Sequence, residues 1–333
     1  MWSCRCPGTR IRLVALVAIG LVSSICGLPT IAQTSPTAPI DGNHALSIAV
    51  GQDRLTITTT NRLAGAVHSI RFQGQEFIDS ADHGRQLQSA SSFDAMCDQP
   101  FWSELYNPTE AGSRRDGAGD RSTSRLLGVE VQENQLSTST QMAFWLNPGE
   151  RSDGKLALND KPLSDHILHK RIRLGAYQDP RVIQVANTFQ WPSQERHRYA
   201  QFEVLTGYLP AVFSEFWRVS KSTGELESLD DGPGEQPDPI ILATADKRFA
   251  MGAISDGKPV WIDGNPGYGR FRFPKENVVK WNVVFRHRES PFIQHQQASF
   301  RVLVMVGSLE QVHRLIQDAM NGRLTEVPYP NRD

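Results

Sequence analysis

The sequence predicts an all-β protein, built as one large antiparallel β-sandwich of the supersandwich kind with a single C-terminal helix. About fifteen short runs are rich in Val, Ile, Thr, Phe and Trp, and Gly and Pro separate most of them. Strands spaced in this way are typical of antiparallel sandwiches or barrels, whereas a parallel sheet needs a helix between successive strands. One amphipathic helical pattern follows the last strand run.

Two turn segments, 51–53 and 73–74, each lie between a pair of β-rich runs and predict the first two hairpins. The remaining runs alternate apolar and polar residues or are apolar throughout. They are 126–131, 136–146, 166–174, 182–191, 199–209, 213–219, 240–244, 249–254, 260–262, 278–285 and 300–306.

The predicted helix begins after Ser308, which with Gln311 forms a capping-box pattern. It ends before Gly322, a residue common after a helix terminus. Its apolar side chains recur at helical spacing and make one stripe. We expect this helix to close one edge of a sheet.

The first 32 residues have the layout of a secretory signal. Arg5, Arg10 and Arg12 precede the apolar run 13–22, and small residues follow at 30–32. The run is too short to cross a bilayer core of about 30 Å as a helix. We therefore expect a secreted or periplasmic protein, with an uncleaved membrane anchor as the alternative. The expected division is a flexible lead-in over 33–43, one sandwich domain over 44–327 and a tail over 328–333.

Charge and cysteine content exclude several classes of function. Removing three arginines from 35 basic residues leaves 32 against 36 acidic residues, a net charge of −4. That balance gives no electrostatic reason to expect nucleic acid or an anionic membrane as a partner. Only Cys97 remains after the signal, so an internal disulfide and a cysteine-based zinc site are excluded. We expect a monomer with no membrane span.

A loop is predicted over 79–124, and long loops inside compact domains are more often functional than idle. Its first part brings together Asp82, His83, Arg85 and Gln86. Carboxylate, imidazole, guanidinium and amide groups suit sugars, whose hydroxyls both donate and accept hydrogen bonds. A plain surface turn is the alternative.

The second part of this loop combines aromatic and polar side chains. Trp102 and Tyr106 are expected to stack on a pyranose ring, and Glu104, Asn107 and Glu110 to bind its hydroxyls. The alternative is a loop that its aromatic residues anchor to the domain.

Strand alternation adds a third set of candidates. Glu203 shares a face with Tyr199 and Gln201, opposite the apolar Phe202 and Val204, and His169 and Arg171 alternate in the same way on their strand. A polar sheet face is usually only solvated, but the same face under the long loop would form a cleft.

Motifs for other chemistries are missing from the sequence. It contains no His-Glu-x-x-His and no Gly-x-Ser-x-Gly, and neither of its Gly-x-x-x-x-Gly-Lys segments, 149–155 and 252–258, is followed by the Ser or Thr of a phosphate-binding loop. The segment 116–120 lacks the alternating ligands and closing Glu of a calcium loop. We expect no metal and no cofactor.

The N-terminal third resembles the galactose-mutarotase-like β-supersandwich proteins. The segment 65–76 is similar to the opening strand pair of that group, and His83-Gly84-Arg85 lies roughly where those proteins carry an early Gly-Arg at the sugar site. The resemblance implies a sugar-binding cleft on a concave sheet face. In the epimerases of the group a late glutamate is the base and a histidine the acid. This sequence has no clear counterpart of their histidine motif, and Glu203 comes earlier than that base.

Carbohydrate, as an oligo- or polysaccharide, is therefore the expected ligand. In an epimerase or lyase, Glu203 or His83 would remove a proton, Tyr106 or His169 would return it, and Arg85 would stabilise negative charge. A glycoside hydrolase would instead need two facing carboxylates, for which Glu104, Glu110 and Glu203 are the candidates. The alternatives are a non-catalytic sugar-binding protein and a cell-envelope scaffold that binds a protein partner.

Overall fold

The computed structural model describes residues 40–97, 100–262, 264–288 and 295–328. Over these residues the chain forms 21 strands and one α-helix, which confirms the predicted all-β fold. The predicted signal and the last five residues of the tail lie outside the described residues. The elements are β1 Ala45–Val50, β2 Asp53–Thr59, β3 Val67–Phe72, β4 Gln75–Glu76, β5 Leu87–Phe93, β6 Pro108–Thr109, β7 Arg125–Gln132, β8 Gln135–Phe144, β9 Arg151–Ser152, β10 Lys155–Leu156, β11 Leu163–Leu174, β12 Val182–Gln190, β13 Ala200–Pro210, β14 Glu215–Val219, β15 Leu226–Leu229, β16 Gly234–Gln236, β17 Ile240–Ala243, β18 Ala250–Gly257, β19 Gly267–Phe273, β20 Val278–His287, β21 Gln297–Gly307 and α1 Leu309–Met320.

Antiparallel pairing arranges most of these strands in two layers. Sheet I has the order β7-β8-β11-β12-β21-β18-β17-β14-β15. Sheet II has the order β1-β2-β3-β5-β13-β20-β19-β16. The two-residue strand β6 pairs with β5 of sheet II and with β8 of sheet I, so it joins the layers at one corner.

The main core lies between the two sheets. On β20, Val279, Trp281 and Val283 point into it, whereas Lys280 lies on the opposite face because side chains alternate along a strand. Phe202 of β13 and Phe300 of β21 meet across the core with ring centroids 5.2 Å apart. The outer face of sheet II is therefore available to polar groups.

The C-terminal helix has the predicted cap. The backbone N–H of Gln311 donates to Ser308 Oγ at 3.3 Å, and the N–H of Ser308 donates to Gln311 Oε1 at 3.0 Å. Its position differs from the expected sheet edge, because α1 packs on the outer face of sheet I. Gly252 of β18 lies so close to the helix that an added Cβ would be 2.7 Å from Val312 Cγ1. None of the described helices has the length and apolar character needed to cross a membrane.

Three further segments differ from the sequence prediction. The predicted strand over 260–262 is a turn, in which Val260 is fully exposed and so has no core contact. The predicted loop over 79–124 contains β5, whose seven residues are all buried. The end of the predicted flexible lead-in is bonded to the domain, since the N–H of Gly42 donates to Asn61 Oδ1 at 2.5 Å and its carbonyl accepts from Thr59 Oγ1 at 2.6 Å.

Candidate functional site

A cleft of about 140 Å³ lies on the outer face of sheet II, near the corner where β6 joins the two sheets. Its floor comes from three neighbouring strands, and its walls come from the segments before β5, around β6 and after β8. The lining residues are Gly84, Gln88, Ala90, Ser92, Ser103, Glu104, Asn107, Thr109, Trp145, Glu203, Tyr208 and Lys280.

A β-bulge in β13 sets which side chains reach the floor. Glu203 pairs with Val284 of β20 while Leu205 pairs with Val283, which leaves Val204 as the extra residue. A bulge shifts the alternation of the strand by one position. As a result Glu203 and Tyr208 share the cleft face, although five positions separate them and unbroken alternation would place them on opposite faces.

Glu203 and Lys280 form an ion pair at the centre of the floor. Lys280 Nζ donates to Glu203 Oε2 at 3.2 Å, and Thr206 Oγ1 donates to the same oxygen at 2.9 Å. Burial alone would raise the pKa of Glu203, but the Lys280 charge and the Thr206 hydrogen bond outweigh it and hold that pKa below its ordinary value. The carboxylate is therefore ionised at neutral pH.

The ammonium group of Lys280 lies between two aromatic rings. Its Nζ is 5.3 Å from the ring centroid of Tyr208 and 5.1 Å from that of Phe271. Burial lowers the pKa of Lys280, yet the Glu203 carboxylate raises it further, so the net pKa lies above the ordinary value. Burial raises the pKa of the Tyr208 hydroxyl, which stays protonated.

Hydrogen bonds and close packing hold the walls of the cleft. Asn107 Nδ2 donates to the carbonyl of Ser91 at 2.7 Å and to Ser92 Oγ at 3.0 Å. Trp145 is bonded to the same wall, because its backbone N–H donates to the carbonyl of Asn107 at 2.8 Å. Its indole ring lies against Gly84, where an added Cβ would be only 2.7 Å from Cη2. Glycine at position 84 thus leaves room for the tryptophan ring.

The cleft combines an indole face, a phenol and amide and hydroxyl groups with three charges, those of Glu104, Glu203 and Lys280. Apolar ring faces beside hydrogen-bonding groups complement a pyranose, which has both kinds of surface. The volume is below the roughly 300–1,000 Å³ of sites for drug-sized ligands, so the cleft accommodates a small ligand or one unit of a chain.

No protein-family model matches the chain, and the comparison with curated proteins finds no match. Solved structures with a similar fold do exist. The Slr1438 protein from Synechocystis sp. PCC 6803 is 13% identical, with 84% of this chain and 100% of that chain covered and a TM-score of 0.41.

Several of the other similar structures are enzymes. The α-galactosidase from Lactobacillus brevis is 9% identical, with 86% of this chain and 42% of that chain covered and a TM-score of 0.43. The heparan sulfate lyase HepC from Pedobacter heparinus is 7% identical, with 81% and 36% covered and a TM-score of 0.37. This chain thus spans less than half the length of either enzyme. At these scores the likeness carries no argument about activity.

None of the first group of sequence candidates is among the residues that line the cleft. His83 is buried, and its ring nitrogens lie 2.8 Å from the carbonyl of Gly117 and 2.9 Å from that of Arg62. Arg85 is paired with Asp82 at 2.8 Å. Gln86 is buried and donates to Gln88 Oε1 at 2.7 Å, so only Gln88 of that pair lines the cleft.

The second group divides between the cleft and other sites. Glu104 and Asn107 line the cleft. Trp102 lies outside it, where its Nε1 donates to Ser152 Oγ at 3.0 Å. Tyr106 lies beside the core, with its ring centroid 4.6 Å from that of Phe144, and burial raises the pKa of its hydroxyl.

Glu110 forms a fully buried ion pair with Lys170 and accepts from the N–H of Ser89 at 2.9 Å. His169 and Arg171 flank Lys170 on β11 but are exposed on the opposite face. Of the four predicted catalytic residues, the cleft therefore contains Glu203 and not His83, Tyr106 or His169.

Among the lining residues that the sequence did not indicate, three supply the aromatic rings and the positive charge of the cleft: Trp145, Tyr208 and Lys280. Lys280 carries a usable signal, since a single lysine inside the apolar run 278–285 needs a partner if the strand is buried. Trp145 has none, because a tryptophan after a strand is as readily a core residue.

A larger hollow of about 490 Å³ lies between α1 and strands β18 and β19. Its two lysines already have partners, since Lys221 Nζ donates to the carbonyl of Pro237 at 2.5 Å and Lys258 Nζ donates to that of Ile262. Its described lining residues include no carboxylate. We therefore take the cleft on sheet II as the candidate site.

Proposed function

We propose that this chain is an exported protein that binds carbohydrate in the cleft on sheet II. The observation that carries the proposal is the convergence of Trp145 and Tyr208 with Glu104, Asn107 and Glu203 around one small hollow. The aromatic rings supply apolar faces, and the carboxylates and amide supply hydrogen bonds to hydroxyls. Export rests on the signal-like layout of the first 32 residues.

The charge of the cleft favours neutral sugars over uronates or sulfated sugars. Glu203 neutralises Lys280 at 3.2 Å, which leaves the carboxylate of Glu104 as the excess charge of the lining. A second carboxylate or a sulfate brought close to it would be repelled. Among the residues that the structure describes, no arginine lines the cleft to pair with such a group.

Binding is better supported than proton-transfer catalysis. An epimerase or lyase needs an acid and a base beside one substrate carbon, and the predicted partners His83, Tyr106 and His169 lie elsewhere. The depressed pKa of Glu203 also makes it a weak base, since an efficient base has a pKa near the working pH. Glycoside hydrolysis is the second candidate, because Glu104 and Glu203 line the same cleft.

The test of binding compares two tryptophans. Trp145 lines the cleft and Trp102 does not, so we expect Trp145→Ala to weaken binding of neutral oligosaccharides by about tenfold, near the upper end of aromatic contact energies. Trp102→Ala should leave it unchanged. The measurement is titration calorimetry with a panel of neutral and acidic oligosaccharides. Binding of none of them, together with capture of a protein partner by the intact chain, would support the cell-envelope scaffold instead.

A separate assay tests hydrolysis. Release of reducing ends from a bound oligosaccharide, lost in Glu104→Gln while binding persists, would establish the second candidate. A bound sugar that stays intact during long incubation with the unaltered chain would leave the protein as a binder.

A further inference from the structure

Three side chains near the start of β13 form a cluster that the cleft does not use. His166 comes from β11, and Glu195 and His197 come from the connection between β12 and β13. Glu195 Oε2 lies 2.7 Å from His166 Nε2 and 3.0 Å from His197 Nε2. One ligand atom from each residue lies within 4.8 Å of the other two.

The cluster is enclosed by aromatic side chains. The two histidines are each 2% exposed, and the Glu195 side chain is 23% exposed. The ring centroid of Phe93 lies 5.0 Å from that of His166 and 4.5 Å from that of His197. The ring centroid of Tyr106 is 6.1 Å from that of His166 and 6.0 Å from that of His197.

From this geometry we propose that His166, Glu195 and His197 bind one divalent transition-metal ion of the zinc type through His166 Nε2, Glu195 Oε2 and His197 Nε2. Two imidazoles and one carboxylate are a known zinc donor set that leaves a fourth position for water or another oxygen. Metal–ligand bonds of about 2.0–2.2 Å place tetrahedral ligand atoms about 3.3–3.6 Å apart. The distances of 2.7 Å and 3.0 Å need only a small outward movement.

Asp94 supports this assignment through His197. Its Oδ1 lies 3.3 Å from His197 Nδ1, on the side of the ring away from Glu195. Neutral His197 would donate Nδ1–H to Asp94 and direct the Nε2 lone pair at the metal, as metal-binding histidines usually do. Imidazole ligands favour zinc, copper or nickel over calcium and magnesium.

The ion would hold one wall of the cleft in place. Asp94 and Tyr106 lie at the two ends of the segment that carries Ser103 and Glu104, which line the cleft. The N–H of Phe93 donates to the carbonyl of Tyr106 at 3.0 Å, so the segment returns to β5 beside the cluster. The proposed ion lies on the core side of β5, so the assignment does not depend on what the cleft binds.

The test uses the full chain produced with zinc in the medium. After dialysis we expect one equivalent of metal by mass spectrometry, and Co²⁺ added to the chelator-treated protein should give the visible absorption of a four-coordinate site. Glu195→Gln keeps the size of the side chain and removes its charge, so it should weaken binding by about 100-fold or more. Asp94→Asn should weaken it by about 10–100-fold, as is typical for residues that orient a ligand.

His169→Ala is the matched control, because His169 lies on the same strand as His166 with its side chain exposed. It should retain full binding. His166→Ala should abolish the cobalt absorption, and Glu195→Gln keeps the test valid if that variant does not fold. A protein that holds less than a tenth of an equivalent and gives no cobalt absorption would overturn the proposal. Binding that survives in Glu195→Gln would overturn it as well.

Discussion

Two glutamate–lysine pairs flank β5, and they differ in how far they are exposed to solvent. Glu110 and Lys170 are 1% and 2% exposed and lie inside the domain, while Glu203 and Lys280 are 25% and 11% exposed at the floor of the cleft. Within the described residues, Oε1 of Glu110 is buried without a hydrogen-bond partner. The inner pair is fixed in structure, whereas a ligand can still reach the outer pair.

The comparison shows how burial changes the consequence of the same chemistry. A buried pair is strongly destabilising when one partner is removed, because the other charge is left without compensation. A pair that reaches solvent loses little when it is broken, because water solvates the remaining charge. The inner pair should therefore affect stability, and the outer pair should affect ligand binding.

The largest expected effect is on the inner pair. Lys170→Met should lower the free energy of unfolding by about 3–5 kcal/mol, because Glu110 stays buried and unpaired. Urea denaturation measures this loss. Lys155→Met, at an exposed lysine 3.1 Å from Asp153, is the control and should change the free energy by less than about 1 kcal/mol. The double variant Glu110→Leu with Lys170→Met should recover most of the loss. Equal losses of stability in Lys170→Met and Lys155→Met would show that burial does not raise the cost of breaking the Glu110–Lys170 pair.

A smaller effect, on affinity, is expected at the outer pair. Glu203→Gln should weaken the binding of a neutral sugar by about tenfold, or about 1.4 kcal/mol, because a charged acceptor makes the stronger hydrogen bond. The free energy of unfolding should fall by less than at the inner pair, because water reaches the outer pair in part. Calorimetry and urea denaturation on the same preparation separate the two quantities. Glu235→Gln is the control, since Glu235 pairs with Arg286 at 2.6 Å outside the cleft lining. A large loss of stability with unchanged affinity would reverse the roles assigned to the pairs.

The smallest expected effect is that of pH. The folded pKa of Glu203 lies below its unfolded value of about 4.3. Its contribution to the free energy of unfolding is therefore present above that value and is lost as the pH falls through the folded pKa. The folded pKa of Lys280 lies above its unfolded value of about 10.4. Its contribution to the free energy of unfolding is therefore present below that value and is lost as the pH rises through the folded pKa. Both side chains therefore keep their charges between about pH 5 and pH 9, and sugar affinity should vary by less than about threefold over that range. A bell-shaped dependence inside this range, measured by calorimetry, would contradict the protonation states assigned to the cleft.

Much of the fold followed from local patterns. The hairpin turns, the strand runs other than 260–262 and the capping box of α1 each depend on a few neighbouring residues, and these elements are present. The strand β5 was missed because its interior, Gln88 to Ser92, consists of polar and small residues on both faces. Both faces are covered by other parts of the chain, so neither shows the usual apolar side.

The candidate site was less predictable because its geometry depends on distant segments. Glu104, Asn107 and Glu203 were identified by residue type, but nothing local separates Glu104 in the cleft from Glu110 in the interior. The metal cluster had a partial signal. His166 has the same parity as Leu168 and Ile172 on β11, which places an imidazole on the apolar side of its strand.

The extra residue at Val204 reverses the alternation of side chains between the two faces in the middle of a central strand. Removal of that one amino acid would restore strict two-residue periodicity, and the half of β13 on one side of it would have to turn over. Either the carboxylate of Glu203 would be forced among the aromatic rings of the core, or the tyrosine five positions later would leave the ligand side. A one-codon deletion there should thus be far more damaging than most single substitutions nearby.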